Sequence, residues 1–262
     1  MFEHYFDKQF ELRYFEMNSL GLATPTIILA LLEETAADHC YCINHSLFDL
    51  NKKNVGWVLV SGILQIDRYP YYKEKITIRT WLSSYSSIKG YRENIIFDDQ
   101  RNIIGRAKGL WVFFDIEKRK PIPIFNDIKE KWPYYSEESI VKNIKKKIET
   151  IHTASYIKKF KVNRYDTDMN KHVNNIRYLQ WVIESMPEDI VDNYHLHIID
   201  GRFIAEAKYG DSILSLTNID TIDNSFTHTI KIEGSDTICG NAKTYWRKNN
   251  PLDFYKSKRY YK

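Results

Sequence analysis

The feature that most constrains the fold of this chain is an internal repeat. Arg13-Tyr14, followed by Met17-Asn18, has a counterpart in Arg164-Tyr165, followed by Met169-Asn170. Each motif precedes an apolar stretch and then a series of strand-like segments, so the similarity extends well beyond the short motif. We therefore expect two copies of one supersecondary arrangement within a single chain.

Each apolar stretch is predicted to form one long helix. The first covers 25–39, with Thr24 as its N-cap and Pro25 at the first helical position, where the missing N–H of proline is tolerated. The second covers 175–185 and ends before Pro187, because the residue preceding a proline disfavours the helical conformation. The first helix is apolar over most of its circumference, which predicts burial inside a sheet.

Segments rich in β-branched and aromatic residues follow each helix and are predicted to be strands. Residues 72–80 match 209–217, and the Gly-x-Ala-Lys segment at 105–108 matches the one at 240–243. Each half thus reads as a strand, a loop, one long helix and four further strands. The expected fold class is α+β, with two fused halves in which an antiparallel sheet wraps a long central helix.

A polar stretch separates the two halves. We predict an N-terminal repeat at 1–130, a linker at 131–153, and a C-terminal repeat at 154–262 that includes a basic tail. The linker carries a lysine cluster, namely Lys142, Lys145, Lys146 and Lys147. One interpretation of this cluster and of the tail is ordinary solvated surface, and the other is docking of an acidic partner.

Composition excludes several classes of protein. The chain has 262 residues, 43% of them hydrophobic, and no apolar run approaches the roughly 20 residues of a membrane-spanning helix. The first residues resemble neither a signal peptide nor a transit peptide. A net charge of +4 is too mild for an obvious nucleic-acid binder, and three cysteines argue against a disulfide framework. We expect a cytoplasmic protein without a membrane span.

The second half carries the motif with the most chemistry. Residues 166–181 read Asp-Thr-Asp-Met-Asn-Lys-His-Val-Asn-Asn-Ile-Arg-Tyr-Leu-Gln-Trp, and 203–212 contain a single glutamate, Glu206, between Ala205 and Ala207. The pattern Asp-x-Asn-x-His-Val-Asn-Asn-x-x-Tyr-x-x-Trp resembles the second-repeat signature of the plant and bacterial acyl-ACP thioesterases. The resemblance extends over about residues 5 to 248.

This resemblance implies a double (tandem) hotdog fold and hydrolysis of fatty acyl-[acyl carrier protein] thioesters to free fatty acid. It also implies a catalytic set of Asp168, Asn170, His172 and Glu206. Plant relatives have a cysteine directly after the matching glutamate, whereas this chain has Ala207. The resemblance therefore implies a mechanism without a cysteine nucleophile.

The residues support this chemistry on separate grounds. Asp168, Asn170 and His172 alternate in sequence, so an extended loop would point them the same way, just before a helix start with unpaired N–H groups. Thioester hydrolysis needs a base for water and donors for the developing oxyanion. A buried Glu206 in an apolar strand would suit a general base, with Asp168 as the rival carboxylate.

Simpler interpretations of the same residues stay open. Asn174 and Asn175 cap a helix in one interpretation and bind substrate in the other. Glu206 on its own would be a water-facing strand residue, and Asp168 with His172 a plain surface pair. Metal-like spacings at Cys40-x-Cys42-x-x-His45 and His195-x-His197 lack a completing pair, so we expect no metal and no cofactor.

The acyl chain is expected to lie in the first repeat, because the second is committed to polar catalytic groups. The predicted pocket residues are Ile28, Leu32, Trp57, Val58 and Ile63. The first repeat has Tyr69 where the second has Glu206, and Leu20-Gly21 where the second has Lys171-His172, which predicts one active site per chain.

The expected partner is an acidic acyl carrier protein with a 4′-phosphopantetheine-linked acyl chain, and no nucleic acid. A homodimer stays open. The alternatives for function are an acyl-CoA thioesterase of the same fold and a non-catalytic acyl-binding hotdog protein.

Overall fold

A computed structural model describes residues 5–140, 142–169, 172–220 and 225–249. The chain divides into two compact units, of which the first ends at Ile144 and the second begins at Lys145. Among the described residues, every helix is too short or too polar to cross a membrane.

The first unit contains one long helix and one antiparallel sheet. Its elements are β1 (Phe6–Glu11), α1 (Pro25–Cys42), α2 (Leu47–Lys52), β2 (Val55–Ile66), β3 (Lys75–Tyr85), β4 (Lys89–Phe97), β5 (Ile103–Asp115), β6 (Lys120–Pro121) and α3 (Asn126–Lys131). The strand order is β1-β3-β4-β5-β2, and β6 pairs with β5.

The second unit repeats this plan. Its elements are β7 (Tyr156–Lys161), α4 (Asn175–Glu184), α5 (Glu188–Asn193), β8 (Tyr194–Phe203), β9 (Ser212–Asp220), β10 (Ser225–Ile232) and β11 (Ile238–Lys248). The strand order is β8-β11-β10-β9-β7, again antiparallel. In both units one strand precedes a long helix and four long strands follow it, as the sequence predicts.

Both long helices begin where their capping residues predict. The Thr24 hydroxyl accepts a hydrogen bond from the Ile27 N–H at 3.3 Å, and Pro25 is the first residue of α1. The Asn174 side chain accepts from the Ile176 N–H at 2.7 Å at the start of α4. α1 buries Ile28, Leu31 and Leu32 against its sheet, which confirms the prediction of an interior helix.

Backbone hydrogen bonds correct the alignment of the two repeats. The Asn18 N–H donates to the Leu22 carbonyl at 2.8 Å, and the Asp168 N–H donates to the His172 carbonyl at the same distance. His172 therefore corresponds to Leu22, and the predicted match to Gly21 is wrong. Aligning the two repeats on their Arg-Tyr pairs shifts the turn residues by one position, because backbone hydrogen bonds rather than side-chain identity set the geometry of this turn.

The other predicted equivalence is confirmed by the same criterion. The Ala23 N–H donates to the Pro70 carbonyl at 2.8 Å, and the Val173 N–H donates to the Ala207 carbonyl at 3.3 Å. Tyr69, which precedes Pro70, thus occupies the place of Glu206 in the second unit.

The segment after α3 packs closely on the first unit. The Trp81 indole N–H donates to the Glu137 carbonyl at 2.9 Å, and the Ser139 N–H and hydroxyl donate to Glu93 at 3.0 and 2.7 Å. Ile144 is buried at the end of the segment. These contacts lie on the face of the sheet that carries Glu93 and Lys108, two almost fully buried charges.

The core of the second unit contains a chain of hydroxyl groups around one histidine. His228 is fully buried, and its ring nitrogens contact the Thr217 and Thr244 hydroxyls at 2.9 Å each. The Ser185 hydroxyl extends the chain to Ser215 and Thr217 at 2.8 and 3.1 Å. Polar groups with partners therefore fill the interior between α4 and the sheet.

The burial of His228 predicts that the folded state loses stability in acid. Burial lowers the pKa of His228 to about 3, against an ordinary value of 6.5. The unfolded chain binds this proton below pH 6.5 and the folded chain does not, so the stability falls as pH drops from 6.5 towards 3. One such group contributes a slope of at most about 1.4 kcal/mol per pH unit.

Denaturant unfolding across this range tests the prediction. We expect His228→Gln, which keeps hydrogen-bonding atoms between the two threonines, to reduce the slope. An unchanged slope would show that the ring titrates alike in both states. Burial also lowers the pKa of His39 to about 3, so the variant keeps part of the slope.

Candidate active site

A tight turn before α4 presents two of the predicted catalytic residues. A short 3-10 turn covers Arg164–Asp166, and Thr167 then pairs with Val173 across the turn. The His172 N–H donates to the Asp168 carboxylate at 3.3 Å, in addition to the backbone bond between these residues. Asp168 is exposed, and Asn170 lies outside the described residues.

The turn leads directly into the start of the helix. The Asn174 N–H donates to the Asp166 carbonyl at 2.9 Å, while the Asn174 side chain caps the helix. Asn175 is the first residue of α4 and is partly exposed. The capping interpretation therefore holds for Asn174, and the substrate-binding role of both asparagines stays a prediction. The first N–H groups of the helix lie beside the turn that carries His172.

Glu206 lies outside the sheet, which corrects the expectation that it belongs to a buried strand. The Ile204 and Ala205 N–H groups both donate to the Cys239 carbonyl, at 2.8 and 3.2 Å, and the regular ladder between β8 and β11 ends there. Glu206 follows in an irregular segment, and its side chain is 35% exposed. Leaving the ladder lets the chain turn towards the residues before α4.

The structure brings Glu206 and His172 together. The His172 Nδ1 atom lies 3.4 Å from the Glu206 Oε1 atom, and the histidine side chain is 20% exposed. Asp168 joins the same turn through the His172 N–H. Three of the four predicted catalytic residues therefore lie in one place, at the start of α4, and are reachable from solvent.

Tyr178 holds the glutamate segment against the helix, a role that the sequence analysis missed. The Ala207 N–H donates to the Tyr178 hydroxyl at 2.8 Å, and the ring packs against Trp181 and Phe203 with centroids 5.4 and 6.0 Å apart. Burial raises the pKa of Tyr178, so the hydroxyl stays protonated. The signal was present, because this tyrosine is one of the fixed positions of the motif.

All three cysteines lie outside the catalytic motif in the sequence, although the Cys239 carbonyl accepts hydrogen bonds from the Ile204 and Ala205 N–H groups before Glu206. All three are free thiols, of which Cys40 and Cys239 are buried and Cys42 is exposed. Burial, with a smaller contribution from Asp211, raises the pKa of Cys239 to about 11, which disfavours a thiolate. The position after Glu206 is an alanine with a fully buried side chain.

One acidic group in the described residues has the spacing of metal ligands. It consists of Glu74, Asp98 and Asp99. The Arg68 guanidinium donates to Glu74 at 3.0 Å and to Asp98 at 3.3 Å, so an arginine already pairs two of the three carboxylates. The arrangement is therefore that of an ion-pair network.

The predicted acyl-pocket residues lie in the first unit, on two different faces of its sheet. Ile28 and Leu32 are buried on α1. Trp57 packs against Phe113 and Trp132, with centroids 4.9 and 6.3 Å apart, on the face that meets the helix.

The other two pocket residues point away from α1. Val58 follows Trp57 directly and points to the other face of β2. Ile63 pairs with Lys108, which places it on that other face too.

Comparisons with known proteins agree with this architecture. Residues 3–132 match the family described as "Acyl-ACP thioesterase N-terminal domain", and residues 149–248 match "Acyl-ACP thioesterase C-terminal domain". The chain is 27% identical to oleoyl-acyl carrier protein thioesterase 1 of Arabidopsis thaliana, over 93% of this chain and 76% of the relative. It is 25% identical to the palmitoyl enzyme of Cuphea hookeriana, over 94% and 63%.

Solved structures show the same fold. An acyl-ACP thioesterase from Bacteroides thetaiotaomicron superposes with a TM-score of 0.83 at 21% identity, covering 93% of this chain and 98% of the other. The 12:0-ACP thioesterase from Umbellularia californica gives 0.83 at 20% identity, covering 95% and 99%. The expected double hotdog fold is confirmed, and the two matched domains together show that this chain belongs to the acyl-ACP thioesterase family.

Proposed function

We propose that the paired Glu206 and His172 at the start of α4 hydrolyse fatty acyl-ACP thioesters, releasing free fatty acid and holo-ACP. The observation that carries the proposal is the 3.4 Å contact between the His172 ring and the Glu206 carboxylate, beside a helix start, in a member of this family. All three cysteines are free, which suits a reducing compartment such as the cytoplasm.

The roles follow from the chemistry of thioester cleavage. Glu206 takes a proton from water, and the hydroxide attacks the thioester carbonyl. The carbon–sulfur bond then breaks as Glu206 returns the proton to the leaving thiolate, which yields a carboxylic acid and a thiol. His172 orients the glutamate and polarises the reacting groups, and Asn170 and the helix N–H groups stabilise the oxyanion. Asp168 is the rival base, and direct attack by Glu206 on the carbonyl is the rival route.

One active site per chain is the expected consequence of the repeat. The position of Glu206 is Tyr69 in the first unit, which is buried and whose pKa burial raises. The position of His172 is Leu22. A protonated phenol and a leucine cannot perform the proton transfers that a carboxylate and an imidazole perform.

The interior of the first unit is the better volume for the acyl tail. Hydroxyl groups surround His228 in the interior of the second unit, whereas the first unit contains a cluster of buried apolar residues that includes Phe113 and packs against Trp57. Chain-length preference should therefore respond to residues of the first unit that face α1. Leu59 is such a residue. Its side chain lies 3.1 Å from the position that a Cβ on Gly109 would take, and Gly109 pairs with Arg92 of β4, which contacts His39 of α1 at 3.2 Å.

Neighbouring residues of β2 allow a matched test. We expect Leu59→Trp to shift the released fatty acids towards shorter chains, since each excluded methylene is worth about 0.8 kcal/mol. Val58→Trp, one residue along and on the opposite face, should leave the profile unchanged. The measurement is gas chromatography of the products from mixed acyl-ACPs. A shift with Val58→Trp alone would place the tail on the other face of the sheet.

The linker lysines are proposed to assist docking of the acidic carrier protein. Lys142, Lys145, Lys146 and Lys147 are exposed, whereas the basic tail lies outside the described residues. Charge reversal of these lysines should raise KM for acyl-ACP, most strongly at low salt, because the Debye length is about 10 Å at 0.1 M. Hydrolysis of a short acyl thioester without a carrier should not change, and equal losses on both substrates would contradict docking.

Product release tests the proposed function itself. Incubation with an acyl-ACP panel should yield free fatty acid and holo-ACP in equal amounts, over many turnovers. A non-catalytic acyl-binding protein would bind the same substrates and leave the thioester intact.

A further inference from the structure

Two cationic side chains of the first unit are almost fully buried, and they differ in their partners. Lys108 contacts the Glu93 carboxylate at 3.5 Å and also pairs with Glu138. Arg92 on β4 is 6% exposed, and among the described residues no carboxylate pairs with it. Burying a charge is costly in free energy unless it is paired with a counter-charge and hydrogen-bonded.

Hydrogen-bond donors outnumber acceptors around this guanidinium. Arg92 Nη1 contacts the Thr80 hydroxyl oxygen at 3.1 Å and the His39 Nδ1 atom at 3.2 Å, and the guanidinium lies over the Trp132 ring. The Trp132 indole N–H points at the other nitrogen of the same imidazole, His39 Nε2, at 2.9 Å. Arginine and tryptophan can only donate, so the histidine faces a donor on each side.

A neutral imidazole cannot satisfy both donors. Burial, with the charge of Arg92 adding to it, lowers the pKa of His39 to about 3, so the ring is neutral and has one acceptor nitrogen. Within the described part of the chain, the Nε and Nη2 atoms of Arg92 also donate to no protein acceptor. The cluster therefore lacks acceptor atoms.

An amide acceptor without a donor lies on the same face of β4. Asn94 is two residues from Arg92 and pairs with Thr80 across the sheet. Its Oδ1 atom is buried and has no hydrogen-bond partner among the residues that the structure describes. Among the described residues of the second unit, His228 in the equivalent layer contacts a threonine hydroxyl on each side, so its ring nitrogens both have partners.

We propose that Arg92, His39, Trp132 and Asn94 form a subsite for a hydroxyl group on the acyl chain. The hydroxyl oxygen accepts from the guanidinium, and the hydroxyl hydrogen is donated to Asn94 Oδ1, which supplies both missing partners. The inference rests on the proposed function, because the acyl tail must enter the first unit. Trp132 connects the hydroxyl subsite to the predicted acyl pocket, since it packs against Trp57.

Pairs of acyl-ACPs with equal carbon number, with and without a hydroxyl, test the subsite. The hydroxyl position is moved along the chain through the panel. We expect the wild-type protein to prefer the hydroxylated member at one position, and Arg92→Met to reduce that preference by about tenfold or more. Arg92→Lys should restore part of it. Arg106→Met, which removes a half-exposed arginine paired with Asp67, is the matched control and should not change the ratio.

The outcomes separate the subsite from the proposed function. Release of plain fatty acids with no hydroxyl preference at any position would overturn the subsite and leave the thioesterase function standing. No release from any acyl-ACP would contradict the function itself. If Arg92→Met fails to fold, tryptophan fluorescence of the wild-type chain decides, because hydroxylated fatty acids should perturb it at lower concentration than plain ones. Equal titrations would overturn the proposal.

Discussion

Glu206→Gln and His172→Ala should each lower turnover of acyl-ACP by at least about 100-fold, the usual scale for losing an acid–base group. Glutamine keeps the size of the side chain and cannot accept a proton from water, while alanine removes the ring that lies 3.4 Å from the carboxylate. Both residues are partly exposed, so the folded state should survive. The measurement is the steady-state rate of fatty-acid release, with thermal unfolding recorded for each variant.

Tyr69→Phe supplies the matched control, because Tyr69 occupies the position of Glu206 in the first unit. This variant should retain turnover within a few-fold of the wild type. Near-normal rates in both Glu206→Gln and His172→Ala would remove the pair from the mechanism. Asp168→Asn separates the rival carboxylates, since a larger loss there than in Glu206→Gln would make Asp168 the base.

Lys108→Met should destabilise the first unit by about 3–5 kcal/mol, the range for breaking a buried ion pair. Lys108 is 4% exposed and Glu93 is fully buried, so the substitution leaves a carboxylate in the interior without its cation. The loss also removes the contact of the Lys108 ammonium with the Ile140 carbonyl at 3.3 Å, which holds the segment after α3. Urea unfolding followed by tryptophan fluorescence measures the change.

The double variant Glu93→Gln with Lys108→Met tests the cause of that loss. Removing both charges should recover a large part of the stability, because the serine donors to Glu93 can still pair with a glutamine. Lys118→Met breaks an exposed pair with Asp115 and should change the stability by less than about 1 kcal/mol. A double variant no more stable than Lys108→Met would assign the loss to packing rather than to charge.

Local sequence signals determined the helices and the catalytic turn well. A proline, a capping threonine and a capping asparagine mark the starts of α1 and α4, and these act within one turn of the chain. The spacing of Asp168 and His172 likewise sets a turn whose own backbone bonds hold it. Features that depend on neighbours in sequence were therefore predictable.

Features that depend on residues distant in the sequence were not predictable from the sequence alone. The segment around Glu206 has the alternation of a strand, yet its backbone bonds to Val173 and Tyr178 instead of continuing the ladder. In β2, an irregularity between Leu59 and Ser61 places Ile63 on the face opposite Trp57. Simple alternation along the strand would have placed both side chains on the same face. The donor excess at Arg92 arises from residues of α1, β3 and the end of α3, which only the fold assembles.

The most direct test of the account is the ratio of kcat/KM for one fatty acyl chain presented on acyl carrier protein and on coenzyme A. The reacting thioester and the acyl tail are the same on both carriers, so the ratio isolates carrier recognition. We predict rapid release from acyl-ACP and a kcat/KM at least about tenfold higher than for acyl-CoA, which is a difference of about 1.4 kcal/mol. An equal or higher value for acyl-CoA would contradict the assignment and favour an acyl-CoA thioesterase of the same fold.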